Sequence, residues 1–121
     1  MPDIKKFIEE GNDDPRRQRE LLLGLDPWNE DTARERAAAE GIKLGEEQLE
    51  VLRFMRDYTL EHGIVKNAWQ WAEILDEEYR DKGGLRYLYR LFPHGPVHQG
   101  ARLAALPEPE GTVDPSFGTA F

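Results

Sequence analysis

Residues 87–111 constrain the fold more than any other stretch, because they divide into a packed helix end, a short amphipathic helix and an extended arm. The first part is too apolar for a surface loop, and Pro93 ends its helix since proline cannot continue the hydrogen-bond ladder. After a Gly95-Pro96 turn, apolar residues recur at spacings that give a short helix one apolar side. From Pro107 onward prolines and glycines predict an extended arm.

Composition describes a soluble single domain that we expect in the cytoplasm. The chain has 121 residues, of which 39% are hydrophobic and 33% charged, and no apolar run approaches the length of a bilayer helix. A net charge of −8 disfavours binding to nucleic-acid phosphates, so protein partners are expected. Because the chain contains no cysteine, it cannot form disulfides, thiolate metal sites or persulfides. We expect no cofactor.

Helix boundary signals recur through the first half of the chain. Asp14 followed by Pro15 is typical of a helix start, and Gly24 is suited to end that helix. Asn29 is a candidate N-cap for the next helix, which Gly41 would close in the left-handed conformation. The pattern predicts a mainly α protein of about five helices.

Two further helices are predicted over residues 46–62 and 68–80, joined by a short connection that contains glycine. Two helices so joined are the outline of a helix-turn-helix, so a DNA-binding regulator is one alternative function. The second helix, however, carries mostly acidic residues on its polar face: Glu73, Asp76, Glu77, Glu78 and Asp81. Their charge has the wrong sign for contacts with DNA.

Candidate sites of other kinds have simpler interpretations. His94 and His98 could form a metal pair at four-residue spacing, but no third ligand stands out, and surface histidines are the preferred interpretation. His62 lies near no recognisable nucleophile, so no catalytic residue is predicted. Trp28 and Trp71 are expected in the core, whereas Trp69 either packs on the N-terminal segment or anchors a partner.

The order of residues in the second half resembles the DsrC/TusE family of sulfur-carrier proteins, whose members include the small partner of dissimilatory sulfite reductase. The resemblance also extends upstream, and it rests on these residues: Trp28, Asn29, Glu30, Gly41, Ile42, Leu91, Phe92, Pro93, Gly95, Pro96, Gln99, Arg102, Leu106, Pro107, Pro109, Gly111 and Val113. It implies an orthogonal helical array, with a small N-terminal β-hairpin that would make the fold α+β if retained. It divides the chain into a variable segment (1–25), a helical core (26–106) and a flexible C-terminal arm (107–121).

The family's carriers move sulfur on a thiol at the end of the mobile arm, and this chain departs from them there. Ala101 and Thr112 stand at the two positions where the family pattern has cysteine. The resemblance therefore implies a thiol-free protein, not an enzyme, that binds sulfite-reductase-like or sulfurtransferase partners and regulates or competes. A structural subunit of a sulfite-reductase-like complex is the other alternative.

Partner-binding residues follow from the same resemblance. Arg102 stands where a basic residue receives the returning tail and attracts an anionic sulfur species. Phe117 and Phe121 are large apolar groups on an otherwise polar tail, which is typical of a segment that orders against a partner. The alternative is that both rings fold back onto the protein's own surface near Arg102. The predicted set is Arg90, Phe92, Pro93, Gly95, Pro96, Gln99, Arg102, Leu106, Pro107, Gly111, Phe117 and Phe121.

Overall fold

A computed structural model describes residues 14–113 of the chain. These residues form six α-helices: α1 (Pro15–Leu23), α2 (Glu30–Ala39), α3 (Glu46–His62), α4 (Ala68–Glu78), α5 (Leu85–Leu91) and α6 (Pro96–Leu103). A 3-10 turn, Arg80–Lys82, follows α4, so that helix ends two residues earlier than predicted. The mainly helical fold is confirmed, with six helices in the described range where about five were predicted.

The helix boundaries of the first half agree with the sequence signals. The Asp14 carboxylate accepts a hydrogen bond from Arg16 N at 3.0 Å, and the Asn29 side chain accepts one from Thr32 N at 2.9 Å. Gly41 adopts a φ of 80°, and the N–H of Ile42 donates to Ala37 O at 3.0 Å across it. These bonds satisfy backbone groups that a helix end leaves without partners.

Residues 15–23 are helical, so the N-terminal β-hairpin implied by the resemblance is not found there. No named strand occurs between residues 14 and 113; the one β-bridge joins Asn67 to Glu110. Residues 1–13 lie outside the described residues, as does the remainder of the arm from 114 to 121.

Helix α6 is the centre of the structure, because α2, α3, α4 and α5 all pack against it. Its residues Val97, Ala101 and Leu103 are buried in the core. Gly100 permits the close approach of α3: a Cβ added there would lie 2.9 Å from the Met55 sulfur. The stretch that constrains the sequence therefore also organises the packing.

Aromatic side chains fill the space between α3 and α4. The Trp71 ring is buried and lies 5.6 Å from the Tyr58 ring, while Trp28 packs at the edge of the core and donates Nε1–H to Leu103 O at 2.8 Å. Both were expected in the core; Trp71 lies within it and Trp28 packs against it, partly buried. Trp69 is half exposed, and its two interpretations stay open.

No helix in the described range is long and apolar enough to cross a membrane.

Candidate functional site

Ala101 and Arg102, at and beside the first family thiol position, differ in their exposure on α6. Ala101 is completely buried, so its position points into the core. Arg102 is partly exposed on the outer side of the same helix. Position 101 therefore faces the core and position 102 faces solvent, because successive residues of a helix point in different directions.

The Arg102 guanidinium joins α6 to two carboxylates. It donates to both oxygens of Glu40 at 2.9 Å in a forked pair, and its Nη1 donates to Glu108 Oε1 at 3.1 Å. The hydrogen bonds from Arg102 lower the pKa of Glu40 to about 2, and burial opposes them only in part. Because Arg102 bonds to Glu40 and to Glu108, it links the end of α2 to the arm.

Gln99 extends this network into the core. Its buried side chain accepts from His94 N at 3.2 Å and donates Nε2–H to Glu40 Oε1 at 3.0 Å. The Gln99 Nε2 also lies 3.1 Å from the His94 Nδ1. The turn before α6 and the end of α2 are therefore fixed to each other through one amide.

Residues 107–113 of the arm run back along the surface of the core. Glu110 N donates to Lys66 O, and Ala68 N donates to Glu110 O, each at 2.8 Å. The His98 ring approaches the arm with both nitrogens: Nδ1 lies 3.2 Å from Glu108 Oε1 and Nε2 lies 2.7 Å from Gly111 O. The first half of the arm is thus placed on α6 and on the segment before α4. The mobility of the arm as a whole stays a prediction.

A cleft of about 340 Å³ lies between the end of the described arm and the start of α6. It is lined by Tyr89, Pro93, His94, Gly95, Val97, His98, Thr112 and Val113. Thr112, at the second family thiol position, is exposed beside this cleft, whereas Ala101 is buried. His94 and His98 contact different carboxylates, and no group of three or more potential metal ligands occurs in residues 14–113.

Sequence reasoning missed a buried ion pair at the end of α6. Arg56 has no exposed surface; its Nη2 donates to Glu20 and its Nη1 donates to Ala104 O at 3.0 Å. Burial lowers the pKa of Arg56, and the contact with Glu20 opposes that shift. The available signal was position: Arg56 lies within the apolar stripe of α3, next to Met55. An arginine there must find a carboxylate or carbonyl partners.

Burial divides the predicted partner-binding residues into two groups. Phe92, Pro96, Gln99 and Leu106 are buried and serve the core in this conformation. Those left at least partly accessible are Arg90, Pro93, Gly95, Arg102, Pro107 and Gly111. Phe117 and Phe121 lie outside the described residues. Binding of a partner by any of them stays a prediction.

The second helix of the helix-turn-helix outline is acidic on its exposed side. Helix α4 exposes Glu73, Glu77 and Glu78 to solvent. These carboxylates would repel a phosphate backbone.

Comparison with known proteins assigns this fold and arm to one family. The model of the family described as DsrC like protein matches residues 10–113, which is most of the chain. The chain therefore belongs to the DsrC-like family. The sequence resemblance predicted membership of this family and a mainly helical fold, and both predictions are confirmed.

Relatives with names and structures agree with this assignment. The chain is 40% identical over 89 residues to the sulfurtransferase TusE homolog of Haemophilus influenzae, covering 73% of this chain and 82% of that protein. It is 41% identical over 83 residues to the sulfurtransferase TusE of Escherichia coli, covering 68% and 76%.

Two solved structures share the fold. The NMR structure of Allochromatium vinosum DsrC aligns with a TM-score of 0.61 and 33% identity, covering 72% of this chain and 79% of that one. The crystal structure of the oxidized gamma-subunit of the dissimilatory sulfite reductase (DsrC) from Archaeoglobus fulgidus gives 0.55 and 32%, covering 71% and 80%. This chain is similar to proteins of sulfur relay and sulfite reduction.

Proposed function

We propose that this chain is a thiol-free member of its family, which binds protein partners of sulfur relay or sulfite reduction and regulates them or competes with a true carrier. On this proposal it is not an enzyme and acts in the cytoplasm. It would occupy the partner's site for a carrier without delivering sulfur.

The observation that carries the proposal is the chemistry of positions 101 and 112. A carrier thiol must ionise before it can attack and hold sulfane sulfur. Here the first position is a buried alanine and the second an exposed threonine, and the whole chain lacks cysteine. An aliphatic hydroxyl cannot take over, because it forms no persulfide.

The retained family features support partner binding. The family model matches the core and the first residues of the arm through residue 113, and Pro107 and Gly111 of the arm are exposed. Arg90 is an exposed cation on α5, on the helix that also supplies Tyr89 to the cleft. A partner that recognises the family's arm would meet this surface, and only the thiol would be missing from it.

Direct binding to a purified partner of a cysteine-bearing relative tests the proposal. We expect this chain to bind a sulfite-reductase-like or sulfurtransferase complex and to displace the relative from it. A chain truncated after Gly111 should keep its thermal stability but lose most of the binding. As a control, Arg34→Ala changes an exposed arginine of α2 outside the predicted partner-binding set, and this variant should bind normally.

Failure to bind any complex that binds the relative would overturn the proposal. Normal binding by the truncated chain would instead show that the binding surface lies on the helical body, and the chain could still compete with a carrier.

A further inference from the structure

A groove of about 600 Å³ lies on the surface between the start of α1 and the end of α3. It is lined by Pro15, Arg16, Arg19, Asp57, Leu60 and Glu61. Arg16 Nη1 donates to Asp57 Oδ1 at 2.7 Å, and Arg19 Nε donates to Leu60 O at 2.8 Å. These bonds fix the spacing of the two helices, so the groove is preformed.

Leu22 extends the apolar surface of this groove along α1. Successive residues of a helix are about 100° apart, so Pro15, Arg19 and Leu22 lie within about 60° of one another. Leu22 is nevertheless 79% exposed. Leu21 lies about 100° from Leu22, on the side that faces away from the groove. An exposed leucine in line with a preformed groove is what a covering segment would bury.

The chain enters the structure at the edge of this groove. Residues 1–13 lie outside the described residues, and residues 1–9 also precede the range that the family model matches. Asp14 caps α1 and Pro15 lines the groove, so the preceding segment is tethered beside it. A short tether gives a segment an effective concentration in the millimolar range, which favours it over a separate molecule as the occupant.

The sequence of residues 1–13 fits the groove. Ile4, Phe7 and Ile8 have the spacing that places apolar residues on one side of a helix. Gly11 is suited to end that helix, and residues 11–14 then have the length of a connection between antiparallel helices. Ten helical residues span about 15 Å, which matches the roughly 14 Å of α1.

We propose that residues 1–10 form an amphipathic helix that folds back antiparallel to α1 and occupies this groove, with its apolar side on Leu22 and Leu60. A nine-residue helix such as α1 is marginal without packing. The docked helix holds α1 in place, and with it Glu20, the partner of the buried Arg56. This inference concerns the body of the protein and goes beyond the proposed function.

Charges along the groove complement those of the segment. A right-handed helix docked in this direction places Lys5 on the α3 side, level with Glu61. Glu10 lies on the α1 side, level with Arg16, so both positions join opposite charges. The first turn of α1 contains no acidic residue, and Glu10 therefore also brings a carboxylate to the positive end of that helix.

Nuclear magnetic resonance of the intact chain tests the docking. We expect backbone order parameters of about 0.8 for residues 4–10, whereas a mobile segment gives values below about 0.6. Nuclear Overhauser contacts should join the Ile8 side chain to Leu60 and the Ile4 side chain to Leu22. In a mixture of labelled and unlabelled chains, these contacts should prove to lie within one chain.

Matched variants test the apolar side and the charges separately. Leu22→Ser should lower the order parameters of residues 4–10 below about 0.6, whereas Leu21→Ser on the other side of α1 should leave them unchanged. Both leucines are at least half exposed, so neither change disturbs the core. Lys5→Glu should weaken the docking, and Glu61→Lys in the same chain should restore it.

Order parameters below about 0.6 in the wild-type chain would overturn the proposal. So would equal results for Leu21→Ser and Leu22→Ser, unchanged order in Lys5→Glu, or a double charge variant as mobile as the single one. Contacts found only between labelled and unlabelled chains would assign the groove to a second copy instead. No sulfur-relay protein enters the experiment, so its outcome is independent of the proposed function.

Discussion

Two arginine–glutamate pairs contact the last turn of α6 and its exit, and they differ in almost every physical respect. The Arg56–Glu20 pair is enclosed, with side chains 0% and 10% exposed. The Arg102–Glu40 pair is 35% and 21% exposed and shares its arginine with Glu108 of the arm. The buried pair contacts the backbone at the end of α6, and the exposed pair contacts the arm.

Solvent access decides what each pair can do. A buried pair cannot separate without leaving a charge in an apolar environment, so it fixes α1 and α3 to the end of α6 permanently. A half-exposed pair can exchange a protein partner for water at small cost. The buried pair is therefore structural, whereas the partly exposed pair can open at a small cost in free energy.

The largest expected effect follows from breaking the buried pair. Glu20→Ala leaves the Arg56 charge with carbonyl acceptors alone, and we expect the free energy of unfolding to fall by about 3 kcal/mol. Urea denaturation followed by circular dichroism measures it. Glu35→Ala, an exposed glutamate on α2, is the control and should change stability by less than about 0.5 kcal/mol. Equal losses in both variants would contradict the distinction between the pairs.

A smaller effect is expected from the exposed pair, and it depends on pH. The pKa of Glu40 falls from its ordinary 4.5 to about 2 in the folded chain, chiefly because Arg102 donates to its carboxylate. Its contribution is therefore complete above about pH 5 and is lost as pH falls toward 2. After solvent screening we expect a contribution of order 1 kcal/mol.

Urea titrations of the wild type and Glu40→Gln at several pH values test this contribution. The variant should be less stable at neutral pH, and the two curves should converge toward pH 2. A constant difference at all pH values would show that the ionised carboxylate contributes nothing.

The smallest expected effect comes from the backbone where α6 gives way to the arm. Ala105 has a φ of 54°, and the N–H of Leu106 donates to Ala101 O at 2.9 Å across it. At this position glycine is ordinarily favoured, because a Cβ is strained in the left-handed region. The relief of strain outweighs the entropy cost of glycine only narrowly. Ala105→Gly should therefore raise the free energy of unfolding by about 0.5 kcal/mol, which thermal denaturation would show as a slightly higher melting temperature.

An alanine-to-glycine change within a regular helix should lower the free energy of unfolding instead of raising it. Ala38→Gly, on the exposed side of α2, should lower stability by about 0.5 to 1 kcal/mol. Destabilisation by Ala105→Gly of the same size would mean that the end of α6 is not strained.

Local signals in the sequence predicted most of the helices. They did not predict the contacts of the two ion pairs, which join residues far apart in the chain. Asp14, Asn29 and Gly41 act within one or two turns of their own helix, so their roles can be read from neighbours in the chain. The contact of Arg56 with Glu20 joins residues 36 positions apart, and no local pattern specifies it.

The candidate site divides in the same way. The family resemblance identified Ala101 and Arg102, but it could not indicate that Glu40 and Glu108 both bind the arginine. The two acceptors around His98 were likewise invisible, since Gly111 contributes only a backbone oxygen. A sequence interpretation of that histidine as a plain surface residue left out its contact with the arm.

Sulfur loading in a mixture of proteins tests the central claim most directly. A sulfur donor, a purified partner complex and a cysteine-bearing relative would be incubated with increasing amounts of this chain, and intact masses of both small proteins would be measured. We predict that this chain gains no mass while the relative carries progressively less added sulfur. A stable gain of one sulfur atom by this chain, or unchanged loading of the relative at a large excess, would contradict the account.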